Sequence, residues 1–227
     1  MQNSRIKNWL SANQKRFFAE LIGTFVVVVF ATGSVVLAVK HSETFGLWFV
    51  ALAPAVAVTI MVYAFGKLSM AHFNPTVTVG FFITKHMPKN LFPIYFIAEI
   101  IGALLGSVFV KYIIGTEANL GANVPDYHFQ IPLIVGVEIL ATALLMAVIM
   151  VVVHTKGLRG FGGVVIGAMV GLDIFFFAFI SGASMNPARA LAPAIVSGYL
   201  DNLWLYWTAP FIGSTIIAVI YRKKFVK

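Results

Sequence analysis

Two Asn-Pro pairs carry the chemistry that packing alone explains least: Asn74-Pro75-Thr76 and Asn186-Pro187-Ala188. Each follows a long apolar run after a short polar turn. Each opens an apolar segment too short to cross a bilayer, Pro75–Thr84 and Pro187–Ser197. Asparagine is a favoured N-cap, and proline suits the first helical position because it lacks the amide hydrogen that would be orphaned there. Both motifs therefore predict a helix start that presents carboxamide donors and about half a positive charge. Arg189, two residues after the second proline, adds a permanent cation with a planar fork of donors. His72, two residues before Asn74, is an imidazole with no second His, Cys or paired carboxylate at metal-ligand spacing. Glu20 and Glu138 lie inside apolar runs, where a carboxyl group needs partners. No nucleophile stands with a base, and no phosphate-binding or dinucleotide fingerprint is present, so neither enzymatic chemistry nor a cofactor or metal is expected.

The elements that must position these residues are membrane helices. The chain has 227 residues, 60% of them hydrophobic and only 11% charged, with a mean hydropathy of +0.93; a bilayer is its natural solvent. Six runs are long enough to span about 30 Å of hydrocarbon as helix: Phe17–Val39, Leu47–Gly66, Leu91–Ile114, Ile131–Val153, Phe161–Ile180 and Leu203–Tyr221. Short alternating segments are absent, which excludes an outer-membrane barrel. The run after Glu20 is too long for a signal peptide and has a counterpart later in the chain, so it is read as a retained helix. There is no cysteine and hence no disulfide or thiolate chemistry.

The net charge of +8 is distributed by side. Arg5, Lys7, Lys15 and Arg16 precede the first run; Lys67, Lys85 and Lys89 lie between the second and third; Lys156 and Arg159 follow the fourth; Arg222, Lys223, Lys224 and Lys227 follow the sixth. The positive-inside rule then puts both termini in the cytoplasm. This pattern belongs to a multi-pass protein of the cell membrane, and no nucleic-acid partner is expected.

The two halves of the chain repeat. Glu138 follows Glu20 by 118 positions, Asn186 follows Asn74 by 112 and Gly213 follows Gly102 by 111. Residues 1–114 and 131–227 form the halves of one channel domain, joined by a polar linker over 115–130. Three spans per half invert the topology of the second repeat. Non-helical backbone survives at membrane depth only when buried in protein or lining a wet cavity. The two Asn-capped helix starts should therefore meet near the midplane and line a lumen. Water there would accept from both asparagines and turn its hydrogens outward on either side, an orientation that opposes a proton relay. The glycines at 163, 167 and 171 and at 102 and 106 form G-x-x-x-G steps for close helix crossings.

With these features in place the chain resembles the aquaporins, the major intrinsic protein family. Ala71-His72-Phe73-Asn74-Pro75-Thr76-Val77-Thr78 is similar to the family's first signature loop and Ser181-Gly182-Ala183-Ser184-Met185-Asn186-Pro187-Ala188-Arg189 to its second. Thr76 departs from the usual alanine. The resemblance implies an all-α membrane protein with six transmembrane helices and two re-entrant half-helices, arranged as inverted three-helix repeats and assembled as a homotetramer. It assigns Glu20 and Glu138 to bracing the signature loops, and gives no role for Glu99 or Asp173. It implies a selectivity filter of Arg189, Pro54, Ile174 and Ala183, with His72 beside the pore. Ile174 is reminiscent of archaeal members. This filter is more apolar than that of orthodox water channels, which favours a neutral solute such as glycerol, urea or ammonia. Ala190, Ala194 and the pair Tyr206-Trp207 instead resemble water channels. The expected function is passive water conduction that excludes ions and protons. The alternatives are facilitated passage of small neutral solutes and, more remotely, proton-coupled transport through Glu20 and Glu138.

Overall fold

The structure is a computed structural model that describes residues 10–158 and 160–225. Arg5, Lys7, Arg159 and Lys227 of the charge pattern lie outside the described residues, and the side chain of Lys156 is likewise not described. Among the described residues all regular structure is helical. The six spans are Ala12–Lys40, Leu47–Ser69, Lys89–Ile114, Ile131–His154, Gly162–Ser181 and Leu203–Phe225. Two shorter helices, Pro75–Ile83 and Pro187–Ser197, occupy the positions of the half-helices.

Local chemistry sets the ends. The first span begins before its apolar run because Ser11 and Gln14 form a reciprocal capping box, with Gln14 N donating to Ser11 Oγ at 3.3 Å and Ser11 N to Gln14 Oε1 at 2.7 Å. Gly182 and Gly198 end the fifth span and the second half-helix with φ of 81° and 83°, a backbone that favours glycine. Pro54 sits inside the second span, where its missing N–H frees a carbonyl one turn earlier. The third span finishes in a wider π turn, Val110–Ile114.

Packing follows the repeat. The first span packs against the second and third, the fourth against the fifth and sixth, and the second against the fifth where the halves join. The half-helices cross over: the first packs on the sixth span and the second on the third. Close approach needs glycine at matched places. A Cβ on Gly102 would lie 2.3 Å from the Leu21 carbonyl oxygen, and one on Gly213 2.2 Å from that of Ile139. The stripe of Gly163, Gly167 and Gly171 faces the second span, where a Cβ on Gly167 would lie 2.4 Å from the Ala55 carbonyl.

The linker is not a plain surface loop. Ala118, Asn119 and Leu120 make a left-handed turn with φ of 49°, 50° and 60°, and Leu120 and Asn123 are buried.

Candidate functional site

Each half-helix starts as the sequence predicts. Asn74 Oδ1 accepts from Thr76 N at 2.9 Å, and Asn186 Oδ1 accepts from Ala188 N at 3.0 Å and Arg189 N at 3.2 Å. The amide nitrogens reach across to the opposite half: Asn74 Nδ2 donates to Met185 O at 2.9 Å and Asn186 Nδ2 to Phe73 O at 2.9 Å. A primary amide has two donor hydrogens, so one anchors each asparagine and the other is left for the lumen. The Thr76 hydroxyl joins this lock, shared between Asn74 Oδ1 at 2.8 Å and Met185 O at 3.2 Å.

The turns leading into the half-helices are strained in the same way. Met70, Ala71 and Phe73 have φ of 69°, 54° and 52°, and Ala183 and Met185 have 41° and 53°. Left-handed backbone costs about 1–2 kcal/mol for each such residue. Both turns are held by buried glutamates. Glu20 accepts from His72 N at 3.1 Å and Phe73 N at 2.7 Å. Glu138 accepts from Met185 N at 2.6 Å and Ser181 Oγ at 2.9 Å. Tyrosines make a second matched brace: Tyr95 Oη donates to Ser69 O and Tyr206 Oη to Ser181 O, both at 2.7 Å. Trp207 Nε1 donates to Pro187 O at 3.1 Å.

A cavity of about 570 Å³ runs past this junction. Its wall includes Asn74, Asn186, His72 and Arg189, together with Pro54, Ile174 and Ala183. The four residues assigned to the filter thus share one cavity wall. Pro75, Thr76, Pro187 and Ala188 are buried behind it. Arg189 is 8% exposed; it donates through Nη1 to Asn123 Oδ1 and through Nη2 to Ala31 O at 3.4 Å. Asn123 is itself tied to the second turn through Nδ2 to Gly182 O at 2.8 Å.

Several of these roles were not assigned from the sequence. Asn123 lies in the linker, outside both repeats, and has no mate to flag it. The tyrosine braces had a signal: Tyr206 follows Tyr95 by the same offset that separates the paired glycines. Glu99 gains a role. Thr78 Oγ1 donates to Glu99 Oε1 at 2.6 Å and so accepts from His72 Nδ1 at 2.8 Å, which fixes the imidazole tautomer with its bare Nε2 away from that chain. Asp173 is fully buried, and neither carboxyl oxygen has a hydrogen-bond partner among the described residues.

Six apolar spans, two half-helices that meet end to end and one cavity beside their junction define a transmembrane channel. The major intrinsic protein model matches residues 7–221. The chain belongs to that family of non-enzymatic membrane channels. Aquaporin NIP3-1 of Arabidopsis thaliana is 34% identical over 213 residues, which cover 88% of this chain and 64% of that protein. The probable aquaporin NIP-type of Nicotiana alata is 35% identical over 222 residues, covering 92% and 77%. The chain thus spans less than two thirds of the length of the first relative and about three quarters of the second. The X-ray structure of the aquaglyceroporin from Plasmodium falciparum has the same fold, with a TM-score of 0.78 at 23% identity, over 94% of this chain and 97% of that one.

Proposed function

We propose that this chain conducts water passively down osmotic gradients and refuses ions and protons. The observation that carries the reading is the crossed asparagine lock. Nδ2 of Asn74 and of Asn186 are each fixed to the opposite turn at 2.9 Å, so their remaining donors are held at one level of the cavity wall. A water at that level offers its oxygen to them and must point its hydrogens away along the lumen. Two helix N-termini, each about half a positive charge, and the Arg189 guanidinium add a field that opposes cations. The glutamates required by a proton-coupled transporter are engaged in bracing strained turns, which favours a channel.

A second reading, passage of small neutral solutes, is favoured by one feature: apart from Arg189, the proposed filter is apolar, with Pro54, Ile174 and Ala183 on the same wall. A filter with few polar partners leaves room for a carbon-bearing solute. We further propose a homotetramer in the cell membrane with both termini in the cytoplasm, supported by the family match and by the one-sided lysines and arginines.

Purified protein in liposomes, loaded with a pH-sensitive dye and shrunk osmotically in a stopped-flow light-scattering cell, tests both. Fast shrinkage without proton entry supports the water reading. Uptake that follows an imposed pH gradient would overturn it in favour of coupled transport. The same vesicles challenged with glycerol, urea and ammonia rank the second reading.

A further inference from the structure

Away from the asparagine junction, two histidines from distant parts of the sequence come together. His86 lies in the loop after the first half-helix, and His154 ends the fourth span. Their Nε2 atoms are 3.3 Å apart, and their rings stand edge to face at 82° with centroids 5.0 Å apart. Tyr221 of the sixth span lies beside both, its ring 4.5 Å from His154 and 6.0 Å from His86. The Tyr221 hydroxyl is buried and has no hydrogen-bond partner among the described residues.

The other ring nitrogens decide what faces what. His154 Nδ1 is 3.0 Å from Met150 O; a carbonyl only accepts, so Nδ1 carries the hydrogen. His86 Nδ1 is 2.7 Å from Thr84 Oγ1, and that hydroxyl gives its own hydrogen to Gly80 O at 2.9 Å. His86 Nδ1 is therefore also the donor. A neutral imidazole carries one N–H, so both facing Nε2 atoms are bare lone pairs. Two lone pairs this close repel unless an electrophile lies between them.

A proton and a metal cation are the two candidates. A shared proton would draw the two nitrogens to ordinary hydrogen-bond length, about 2.7–3.2 Å, shorter than the 3.3 Å between them. Metal geometry fits. Imidazole nitrogen binds zinc at about 2.0–2.1 Å, and two such bonds at a tetrahedral angle put the nitrogens about 3.3–3.4 Å apart. Metal-binding histidines also characteristically donate their second N–H to a carbonyl or another fixed acceptor, as both do here.

We propose that His86 and His154 form a two-histidine site for one borderline transition-metal dication of the zinc, copper or nickel class, which staples the loop at 84–88 to the end of the fourth span. No group of three or more His, Cys, Asp or Glu gathers among the described residues, so water completes the coordination through the exposed side of His154. The site adjoins the cavity: the His86 ring is 5.8 Å from that of Phe81, and Phe81 and Val153 are on the cavity wall. The proposal is independent of what the cavity conducts.

The test is a Cu²⁺ titration, at neutral pH, of the full-length protein without a polyhistidine tag, reconstituted in lipid and read by electron paramagnetic resonance. One tight equivalent with nitrogen splitting from two imidazoles is expected. Since loss of an outer-shell partner alone costs about 10–100-fold in affinity, His86→Asn and His154→Asn should each cost more than about 100-fold. Thr84→Val, which removes only the Nδ1 partner of His86, should cost about 10–100-fold. His128→Asn, at an exposed histidine elsewhere, should leave the tight equivalent intact. Zinc should raise the melting temperature of the parent protein and of His128→Asn but not of His86→Asn or His154→Asn. A tight equivalent that survives in both of those variants, or a parent protein that binds no more tightly than they do, overturns the proposal.

Discussion

Glu20 and Glu138 are repeat mates, yet replacing each by glutamine should have unequal effects. At Glu20 a backbone amide donates to each carboxyl oxygen, His72 N at 3.1 Å and Phe73 N at 2.7 Å, and the Ser69 hydroxyl adds to them. Glutamine keeps one acceptor and turns an NH₂ toward the other amide. Neither backbone N–H can reverse, so one buried donor loses its partner at a cost of about 1–3 kcal/mol. At Glu138 the close partners are Met185 N at 2.6 Å and the Ser181 hydroxyl at 2.9 Å, with Ser184 N a weaker third donor. A hydroxyl can rotate and accept, and the Ser184 amide is held less closely than either Glu20 donor, so Glu138→Gln should cost less, about 1 kcal/mol. Thermal unfolding of both variants in the same lipid nanodiscs reads the difference. Glu20→Gln should melt well below Glu138→Gln, and its permeability per folded channel should fall as the turn at 70–73 relaxes. Equal melting temperatures, or a milder effect at Glu20, would refute the argument that donor type decides the cost.

Four further outcomes are expected. Arg189→Ala removes the cation from the cavity wall and frees Asn123, so uptake of glycerol or urea by proteoliposomes should rise; unchanged uptake in folded protein counts against a filter role. Gly213→Ala puts a Cβ 2.2 Å from the Ile139 carbonyl and should lower stability by at least the roughly 1–3 kcal/mol of overpacking, whereas Gly136→Ala, with nothing within 4 Å, should be neutral or stabilising in the same melt. Thr76→Ala loses a hydroxyl engaged by Asn74 and Met185 behind the cavity wall, so it should cost about 1 kcal/mol while water permeability, by light scattering, stays near the parent value. Burial, and to a lesser extent the neighbouring His154, hold His86 below the usual imidazole value of 6.5, which makes the unfolded chain the better proton binder below about that pH. Stability should therefore be complete above that pH and decline on acidification in a melting series run with a chelator present, and His86→Asn should lose that component.

Much of the fold was legible because apolarity marks the bilayer directly. Five of the six spans begin within two residues of the predicted starts. The first begins early, at Ala12 rather than Phe17, because the capping box at Ser11 and Gln14 carries the helix through Lys15 and Arg16, which no hydropathy criterion would include. The sixth likewise runs past Tyr221 through three basic residues to Phe225. The half-helices were readable from N-cap chemistry alone. The linker was not. Its left-handed turn uses Ala118 and Leu120 as well as Asn119, and only the asparagine favours that backbone, so the turn is held by tertiary burial. The His86–His154 pair was invisible for a related reason: neither has a repeat mate, and so long a gap in sequence resembles no metal-ligand spacing.

Symmetry and asymmetry divide the labour within the site. Everything that recurs at the repeat offsets builds the junction: the capping asparagines, the glutamate and tyrosine braces, the left-handed turns and the glycines at the crossings. A perfectly symmetric pair of halves would offer the same surface to both ends of the lumen. The features that break the symmetry are Arg189 with Asn123 on one side and the His72–Thr78–Glu99 chain on the other. Where Arg189 follows Pro187 by two residues, the first motif has Val77; where Thr78 faces His72, the second has Ala190. On the proposed reading, these unmatched residues act with the apolar Pro54, Ile174 and Ala183 of the same wall to discriminate among solutes, because the matched ones contribute equally from both sides. Exchanging the unmatched residues should therefore alter which solutes pass, whereas damaging the matched ones should destroy the pathway for all of them.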